Sequence, residues 1–227
     1  MIDFYKKPWK SNFEYFLGKT IKELLITSPY INKSEAEFIC NNFSSRRISD
    51  KIKFTLLTDI RSQSILDNSL DIEALQLFQD NISKFKLVTL PRLHAKVYLF
   101  DNSYAIVGSS NLTSSGLEYN YEYNIGINQK KYVRKIKLDI GEYYSLGSVV
   151  DNEKLYELSF IAKEVKEKYQ EVTKSAISSI RKKFNETLKK ADIKFTEAIV
   201  GNKTAYAVFK DVIIYCLKKE AFKTVLT

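Results

Sequence analysis

The sequence holds few of the residues that build disulfide-rich, zinc-binding or low-complexity proteins. Its 227 residues include 7 Gly and 3 Pro, too few for long linkers or disordered segments. Its two cysteines, Cys40 and Cys216, stand far apart and form no CxxC pattern. The sequence therefore predicts neither a disulfide framework nor a zinc site, and we expect both cysteines to be reduced, buried apolar residues.

Long apolar runs are also missing. No run approaches the roughly 20 residues that a transmembrane helix needs. The first residues, MIDFYKKPWKSNFEYF, lack the apolar centre of a signal peptide. We therefore expect a cytoplasmic protein without a membrane partner.

Histidine is the scarcest of the residues that commonly carry catalysis, because His94 is the only one. A mechanism that needs two imidazoles must therefore take the second from another chain.

Basic residues, by contrast, are abundant. The formal net charge is +9, and residues 151–227 hold 16 Lys and Arg against 11 Asp and Glu, so +5 lies there. This balance favours an anionic partner such as nucleic acid, anionic lipid or another phosphate. A genome biased toward Lys, Ile and Asn would give the same balance. The dense run of Arg181–Lys183 with Lys189 and Lys190 is either the solvated face of a helix or a phosphate-binding surface.

The hydrophobic pattern predicts an α/β protein with a mixed β-sheet and helices on both faces. Apolar residues at helical spacing follow a Ser11–Glu14 capping box as far as Leu24, and a Ser34–Glu37 pair opens a helix through Phe43. A third helix covers about residues 70–82. Strands are expected at residues 24–29, 52–58, 86–90, 93–100, 104–110 and 121–127.

The sequence pattern changes after about residue 150. Residues 152–191 are almost continuous helix formers, followed by a short strand at 194–200, a turn at 201–203 and an apolar helix at 205–222. We expect a first domain at 1–150 and a mainly helical region at 151–227. The second region would bind substrate or support dimerisation.

The chemistry concentrates in residues 94–111, HAKVYLFDNSYAIVGSSN. His94 and Lys96 are two residues apart on a predicted strand, so their side chains share a face, and Ser109 and Asn111 repeat this spacing on the returning strand. A hairpin would bring an imidazole beside an ammonium, a hydroxyl and an amide, which suits a tetrahedral phosphate. Gly108 would let that phosphate approach the backbone closely.

The spacing H-x-K-x4-D-x6-G-S-x-N resembles the signature of the phospholipase D superfamily, which implies a phospholipase D-like fold for about residues 1–130. The resemblance assigns His94, Lys96, Asp101, Gly108, Ser109 and Asn111 to the motif and places Glu122 where the family often carries a glutamate. It implies a two-step displacement in which one histidine forms a phosphohistidine and another protonates the leaving oxygen. With one histidine per chain, that mechanism requires a homodimer through the active site.

Other residues have less certain roles. Asp101 heads a turn and is expected to bond the backbone without taking part in chemistry. Glu122 either orients a histidine imidazole or is a surface carboxylate, and Ser109 and Ser110 both offer a hydroxyl, of which the family pattern favours Ser109. The candidate backbone-phosphate contacts are Arg46, Arg47, Arg61 and Arg92, which could equally be solubilising surface residues.

The length of the chain and its single motif indicate the class of substrate. Small, single-motif members of this superfamily resemble nucleases, including restriction endonucleases, whereas the lipid enzymes carry two motifs and are about twice as long. We therefore predict a metal-independent endonuclease that needs no cofactor and acts on DNA rather than RNA, since no convincing acidic cluster for Mg²⁺ is present. The alternatives are a lipid or small-molecule phosphodiesterase and a non-enzymatic nucleic-acid-binding module.

Overall fold

The computed structural model describes residues 2–190, with side chains described for residues 2–169, 182 and 183. The strands are β1 (Ile2–Lys6), β2 (Glu23–Thr27), β3 (Lys53–Thr58), β4 (Lys84–Thr89), β5 (Lys96–Phe100), β6 (Tyr104–Gly108), β7 (Tyr123–Ile127) and β8 (Ser148–Val150). The helices are α1 (Lys10–Lys19), α2 (Lys33–Ser45), α3 (Ser62–Leu66), α4 (Ile72–Asn81), α5 (Lys130–Leu146) and α6 (Asn152–Lys190), and Ser115–Tyr119 form one π-helical turn.

The eight strands form one mixed sheet in the order β1-β7-β6-β5-β2-β3-β4-β8. Strands β2, β3 and β4 are parallel, and every other neighbouring pair is antiparallel. Parallel neighbours need a crossover connection, and α2 and the α3–α4 segment supply the two crossovers. The predicted α/β class and mixed sheet are confirmed.

Apolar side chains cover both faces of the sheet. On one face, α1, α2 and α4 pack over a core that includes Trp9, Phe13 and Tyr98 and extends to Leu155 and Ala162 of α6. On the other face, α5 places its buried side chains on residues of β2, β5 and β6, in a cluster made of Leu25, Val97, Leu99, Ala105, Val133 and Ile140. Burial of these side chains is the main favourable term in folding.

Two predicted helix starts are wrong. The first helix begins at Lys10 and ends at Lys19, without a side-chain cap from Ser11. Its start is fixed by buried Trp9, whose backbone N–H donates to the Leu117 carbonyl and whose indole N–H donates to the Gly116 carbonyl. This tertiary anchor overrides the local capping pattern.

The second helix is capped by Asn32 rather than Ser34. The Asn32 side chain accepts a hydrogen bond from the backbone N–H of Glu35, and the backbone N–H of Asn32 donates to the Leu112 carbonyl. The Ser34–Glu37 pair therefore lies within the helix. The first helix was also expected to continue to Leu24, but Ile21 is exposed and Leu24 lies in β2.

Four elements, β1, α3, α5 and β8, were not expected from the sequence. Strand β8 pairs with β4, and the compact unit that contains the sheet runs to Lys168. The expectations for residues 194–222, and for Cys216, lie outside the described residues. Cys40 is buried as expected, and burial raises the pKa of its thiol to about 12. Among the described residues, no helix combines the length and apolarity needed to cross a membrane.

Candidate active site

The motif residues gather at one edge of the sheet, which we call the motif edge. It is formed by the carboxyl ends of β2, β3, β4 and β6 and the amino ends of β5 and β7. His94 precedes β5, Ser109 and Asn111 follow β6, and Glu122 precedes β7. Ligands of open α/β sheets commonly bind beyond the carboxyl ends of the strands.

Lys96 is the buried cation of the motif edge. It is the first residue of β5, and its side chain is 6% exposed. Its Nζ donates a hydrogen bond of 2.8 Å to the carbonyl oxygen of His94, and His94 itself is exposed. Burial lowers the pKa of Lys96, and the negative charge of Glu122 opposes that shift. The motif edge thus carries a buried ammonium and an exposed imidazole, and an ammonium can offset the charge of a phosphate.

Glu122 is held by two neighbouring side chains. The Ser109 hydroxyl donates a short hydrogen bond to one Glu122 oxygen, and the Asn120 amide donates to the other at 3.1 Å. The same Ser109 oxygen accepts from the Tyr123 N–H at 3.1 Å. Within the described residues Glu122 bonds these groups and not the imidazole of its own His94. Its carboxylate is thus fixed in position at the mouth of the site.

Ser110, the other candidate hydroxyl, is buried in the sheet. Its Oγ accepts from the Asn124 amide at 2.8 Å, and its carbonyl accepts from the Tyr98 hydroxyl at 2.9 Å. Ser109, in contrast, is exposed at the motif edge. Ser110 therefore supports the packing of β6 and β7, whereas Ser109 lies at the motif edge with His94 and Lys96.

Gly108 is required for a reason that the sequence did not reveal. It lies between Lys96 and Asn124 in the strand register, and a Cβ added there would stand 2.1 Å from the Asn124 Oδ1 and 2.5 Å from the Tyr123 carbonyl oxygen. The expectation that Gly108 leaves room for phosphate is corrected, because β7 fills that room. Asn124, a buried polar residue in an otherwise Tyr- and Ile-rich strand, was missed.

Asn111 sits on a firmly held segment. Its carbonyl accepts from the Thr113 N–H at 2.8 Å, and the following Leu112 N–H donates to the Ser28 hydroxyl at 2.9 Å. Gly116 packs against it so closely that a Cβ there would lie 2.4 Å from the Asn111 carbonyl oxygen. The Asn111 Oδ1 is buried and has no hydrogen-bond partner among the described residues. Its amide group is thus positioned but uncommitted.

A buried carboxylate supports the same segment from α2, and sequence reasoning missed it. Glu35 is fully buried and accepts from the Ser114 hydroxyl at 2.9 Å. Ser114 also accepts from the Asn32 amide at 2.9 Å, and Lys10 lies 3.4 Å from the Glu35 carboxylate. The only hint in the sequence is the Asn-Lys-Ser-Glu run at residues 32–35, which indicates a helix start and no partner.

Asp101 anchors the far end of the β5–β6 hairpin. Its carboxylate accepts from the backbone N–H groups of Ile21, Lys22 and Glu23 at 2.9, 2.8 and 2.8 Å. The predicted bonding to backbone is present, but its partners lie about 80 residues earlier and not in its own turn. Asp101 thus fixes the α1–β2 connection, a full strand length away from the motif edge.

The four arginines divide between the two edges of the sheet. Arg46 donates to the Leu17 and Thr20 carbonyls at the end of α1, and Arg47 follows it. Both lie beyond the amino ends of the parallel strands, about 17 Å from the motif edge for strands of this length. Arg46 and Arg47 therefore lie away from the motif edge, and their contact with a substrate backbone stays a prediction.

Arg61 and Arg92 lie at the motif edge and share a partner. The buried Asp59 carboxylate forms an ion pair with Arg61, whose Nε lies 2.7 Å away, and it accepts a hydrogen bond from the Arg92 backbone N–H at 3.0 Å. Arg92 adopts a left-handed conformation, with φ of 65°, and precedes β5, so its two-residue spacing from His94 does not place the two side chains on one face of a strand. Among the described residues, no group of three or more His, Cys, Asp or Glu is arranged to hold a metal ion.

Comparisons with known proteins agree with this geometry. The model of the family described as "Cardiolipin synthase, PLD-like domain" matches residues 15–142, more than half of the chain. No curated protein sequence matches.

Solved structures share the fold at low identity. NucT from Helicobacter pylori is 15% identical with a TM-score of 0.52, over 65% of this chain and 97% of NucT. Nuc from Salmonella typhimurium, described as a phospholipase D family member, is 15% identical with a TM-score of 0.55, over 67% of this chain and 99% of Nuc. The phosphatidylserine synthase of Haemophilus influenzae Rd KW20 is 12% identical with a TM-score of 0.58, over 79% of this chain and 46% of the synthase. With its motif seated at the sheet edge and a family match over more than half of its length, this chain belongs to the phospholipase D superfamily, whose enzymes act on phosphodiester bonds.

Proposed function

We propose that this protein is a metal-independent DNA endonuclease that works through a phosphohistidine at an active site shared by two chains. The observation that carries the proposal is the convergence of His94, Lys96, Ser109, Asn111 and Glu122 at one sheet edge. An exposed imidazole beside a buried ammonium and an uncommitted amide is the set of groups that phosphoryl transfer needs.

The reaction divides into two displacements at phosphorus. In the first, a neutral His94 imidazole forms the N–P bond while the P–O bond to the leaving strand breaks, and a protonated second imidazole gives its proton to the leaving oxygen. In the second, that imidazole takes a proton from water, the oxygen of the water bonds to phosphorus and the N–P bond breaks. Lys96 offsets the charge of the non-bridging oxygens throughout.

Two imidazoles require two chains, because each chain carries one histidine. A two-fold axis beside the motif edge would place two copies of His94 and Lys96 around one phosphate. Glu122, held by Ser109 and Asn120, would then accept the second N–H of an imidazole and hold its orientation.

A nucleic-acid substrate is supported by charge and by the relatives. The net charge of +9 favours contact with a polyphosphate backbone, and Arg61 and Arg92 lie at the motif edge beside Asp59. Nuc, a phospholipase D family member, has nearly its whole length matched by this fold. We propose DNA rather than RNA as the substrate and the cytoplasm as the location.

A second candidate function is the transfer or hydrolysis of a lipid phosphate. It is favoured by the name of the matched family, which refers to cardiolipin synthase, and by the fold shared with a phosphatidylserine synthase. A phosphohistidine could form from either substrate, so only a direct assay separates the two.

The test compares labelled single- and double-stranded DNA with phosphatidylglycerol vesicles, in the presence of EDTA. We expect DNA cleavage that EDTA does not inhibit and that is lost in His94→Ala, and no release of lipid headgroup. Cleavage that stops in EDTA and returns with Mg²⁺ would contradict the mechanism. Turnover of lipid without cleavage of DNA would favour the second candidate.

A further inference from the structure

An exposed aromatic surface lies on β1 and β7, the two strands at one side of the sheet. Phe4 is 63% exposed and Tyr123 is 57% exposed, and their ring centroids are 6.2 Å apart. In the strand register Phe4 pairs with Ile125, which is also exposed. We call Phe4, Tyr123 and Ile125 the aromatic face.

The aromatic face belongs to the side of the sheet that α5 covers elsewhere. Ile125 pairs with Val107, which packs into the cluster beneath α5, whereas Asn124 and Gly126 point to the opposite, buried side. The same sheet surface is therefore closed over β5 and β6 and open over β7 and β1. Large apolar side chains this exposed are a mark of an interaction site.

This face begins at the active site. Tyr123 exchanges hydrogen bonds with Ser109, since its N–H donates to the Ser109 hydroxyl at 3.1 Å and its carbonyl accepts from the Ser109 N–H at 3.2 Å. Lysines accompany the rings. Lys6 pairs with Tyr123 across the strands, and the Lys7 ammonium lies 5.0 Å from the ring centroid of Tyr121.

We propose that the aromatic face binds single-stranded nucleic acid, with bases stacked on Phe4 and Tyr123 and phosphates on Lys6 and Lys7. The inference rests on the proposed function, and it names single strands as the substrate class of that site. Exposed aromatic side chains on neighbouring strands of a sheet are an established way to stack unpaired bases. Bases in a duplex are already stacked on their neighbours, so this surface selects unpaired ones.

The lysines decide which occupant the face takes. Rings placed among ammonium groups attract a chain that offers both bases and phosphates. A second copy of the same basic surface would instead bring like charges together. A subunit contact at this face is therefore the outcome that would overturn the proposal.

The experiment measures binding in the His94→Ala protein, so that no strand is cut. The probes are a fluorescent single-stranded oligonucleotide, the same length of abasic strand and the matching duplex. We expect the intact single strand to bind at least about tenfold more tightly than the abasic strand, because the abasic strand keeps the phosphates and loses the bases. Adding Phe4→Ala or Tyr123→Ala should each weaken binding of the intact strand about tenfold and leave binding of the abasic strand unchanged.

Two controls keep the result interpretable. Tyr15→Ala removes a ring that is 55% exposed on α1, away from the motif edge, and should not change the affinity. Phe4→Leu keeps a large apolar side chain but removes the ring. If this variant folds and also loses affinity for the intact strand, the loss comes from stacking and not from misfolding. Equal binding of intact and abasic strands, equal binding of duplex, or a change from dimer to monomer in the variants would overturn the proposal.

A separate assay keeps this inference distinct from the proposed function. Bis(p-nitrophenyl) phosphate carries the phosphodiester without bases, and the wild-type protein should hydrolyse it in EDTA. If the protein does not hydrolyse this compound but still prefers single strands in the binding assay, only the proposed reaction is rejected. Hydrolysis without single-strand preference would reject the aromatic face alone.

Discussion

At the scale of single residues, the candidate site holds a buried cation, Lys96, whose pKa is set by two opposing effects. Lys96 is almost inaccessible to solvent, and burial lowers its pKa. The negative charge of Glu122 raises that pKa in part. Because only a protonated Lys96 offsets the charge of a phosphate, we propose that Glu122 supports the reaction electrostatically as well as through its hydrogen bonds.

Glu122→Gln should therefore shift the pH profile of the reaction. Removing the carboxylate lowers the pKa of Lys96 further, so the protonated lysine is lost at a lower pH, and the alkaline limb of kcat/KM moves to lower pH. The profile of Glu118→Gln, which removes a carboxylate paired with Lys10 instead, serves as the control. An alkaline limb that stays in place in Glu122→Gln would show that Lys96 is not the group titrating there.

Asp101 illustrates a motif residue that acts on stability. Its carboxylate accepts three backbone N–H groups of the α1–β2 connection, so Asp101→Ala should lower the free energy of unfolding by about 2 kcal/mol. Asp139→Ala, which removes a surface carboxylate paired with Lys135, should cost about 0.5 kcal/mol or less. Urea unfolding measures both values. An Asp101→Ala protein of wild-type stability but without activity would assign Asp101 to the chemistry.

At the scale of elements, the sequence predicted those with a clear local pattern. The buried strands β2, β3 and β5 read as apolar runs, and the β5–β6 hairpin carried its turn residues. Helix α5 was missed because it is dense in lysine and contains Gly141, while its buried contacts, Val133 and Ile140, lie far apart along it. Strand β1, with the sequence IDFYK, was missed because five residues give a weak local pattern, and all five pair with β7.

In the candidate site too, the residues with a clear local pattern were predicted and the others were not. The motif spacing named the residues along β5 and β6, since their positions are set by local strand geometry. Asn124, Asp59 and Glu35 were not found, because each acts on a partner that only the fold brings near: Ser110, Arg92 and Ser114. Sequence spacing predicts which groups react, whereas the groups that position them depend on contacts distant in sequence.

Ser114→Ala tests the support that α2 gives to the Asn111 segment. The change removes the hydroxyl that joins Asn32 and Glu35, so the segment that carries Asn111 loosens. We expect kcat to fall about tenfold with little change in KM, because misplacement of a reacting group affects the transition state most. The neighbouring exposed Ser115→Ala should keep wild-type kcat. A rise in KM with an unchanged kcat would instead assign Ser114 to substrate contact.

At the scale of the whole molecule, one histidine per chain makes the assembly part of the proposed reaction. The motif edge lies at the end of the sheet, so a shared site requires a second chain to pack at that edge. Residues 151–227 supply +5 of the net charge of +9, and we propose that this region binds substrate or supports the dimer. Its first turns already pack in the core through Leu155 and Ala162.

Mixing two versions of the chain tests the shared site directly. Equal amounts of wild-type and His94→Ala protein, unfolded and refolded together, pair at random, which leaves about half of the wild-type chains opposite a chain without the imidazole. If each centre needs both imidazoles, the activity falls to about half of that of the same amount of wild-type protein refolded alone. Ser115→Ala as the mixing partner keeps both imidazoles in every pair and should cause no such loss. A mixture with His94→Ala that retains full activity, together with a native mass of one chain, would mean that a single His94 performs both displacements.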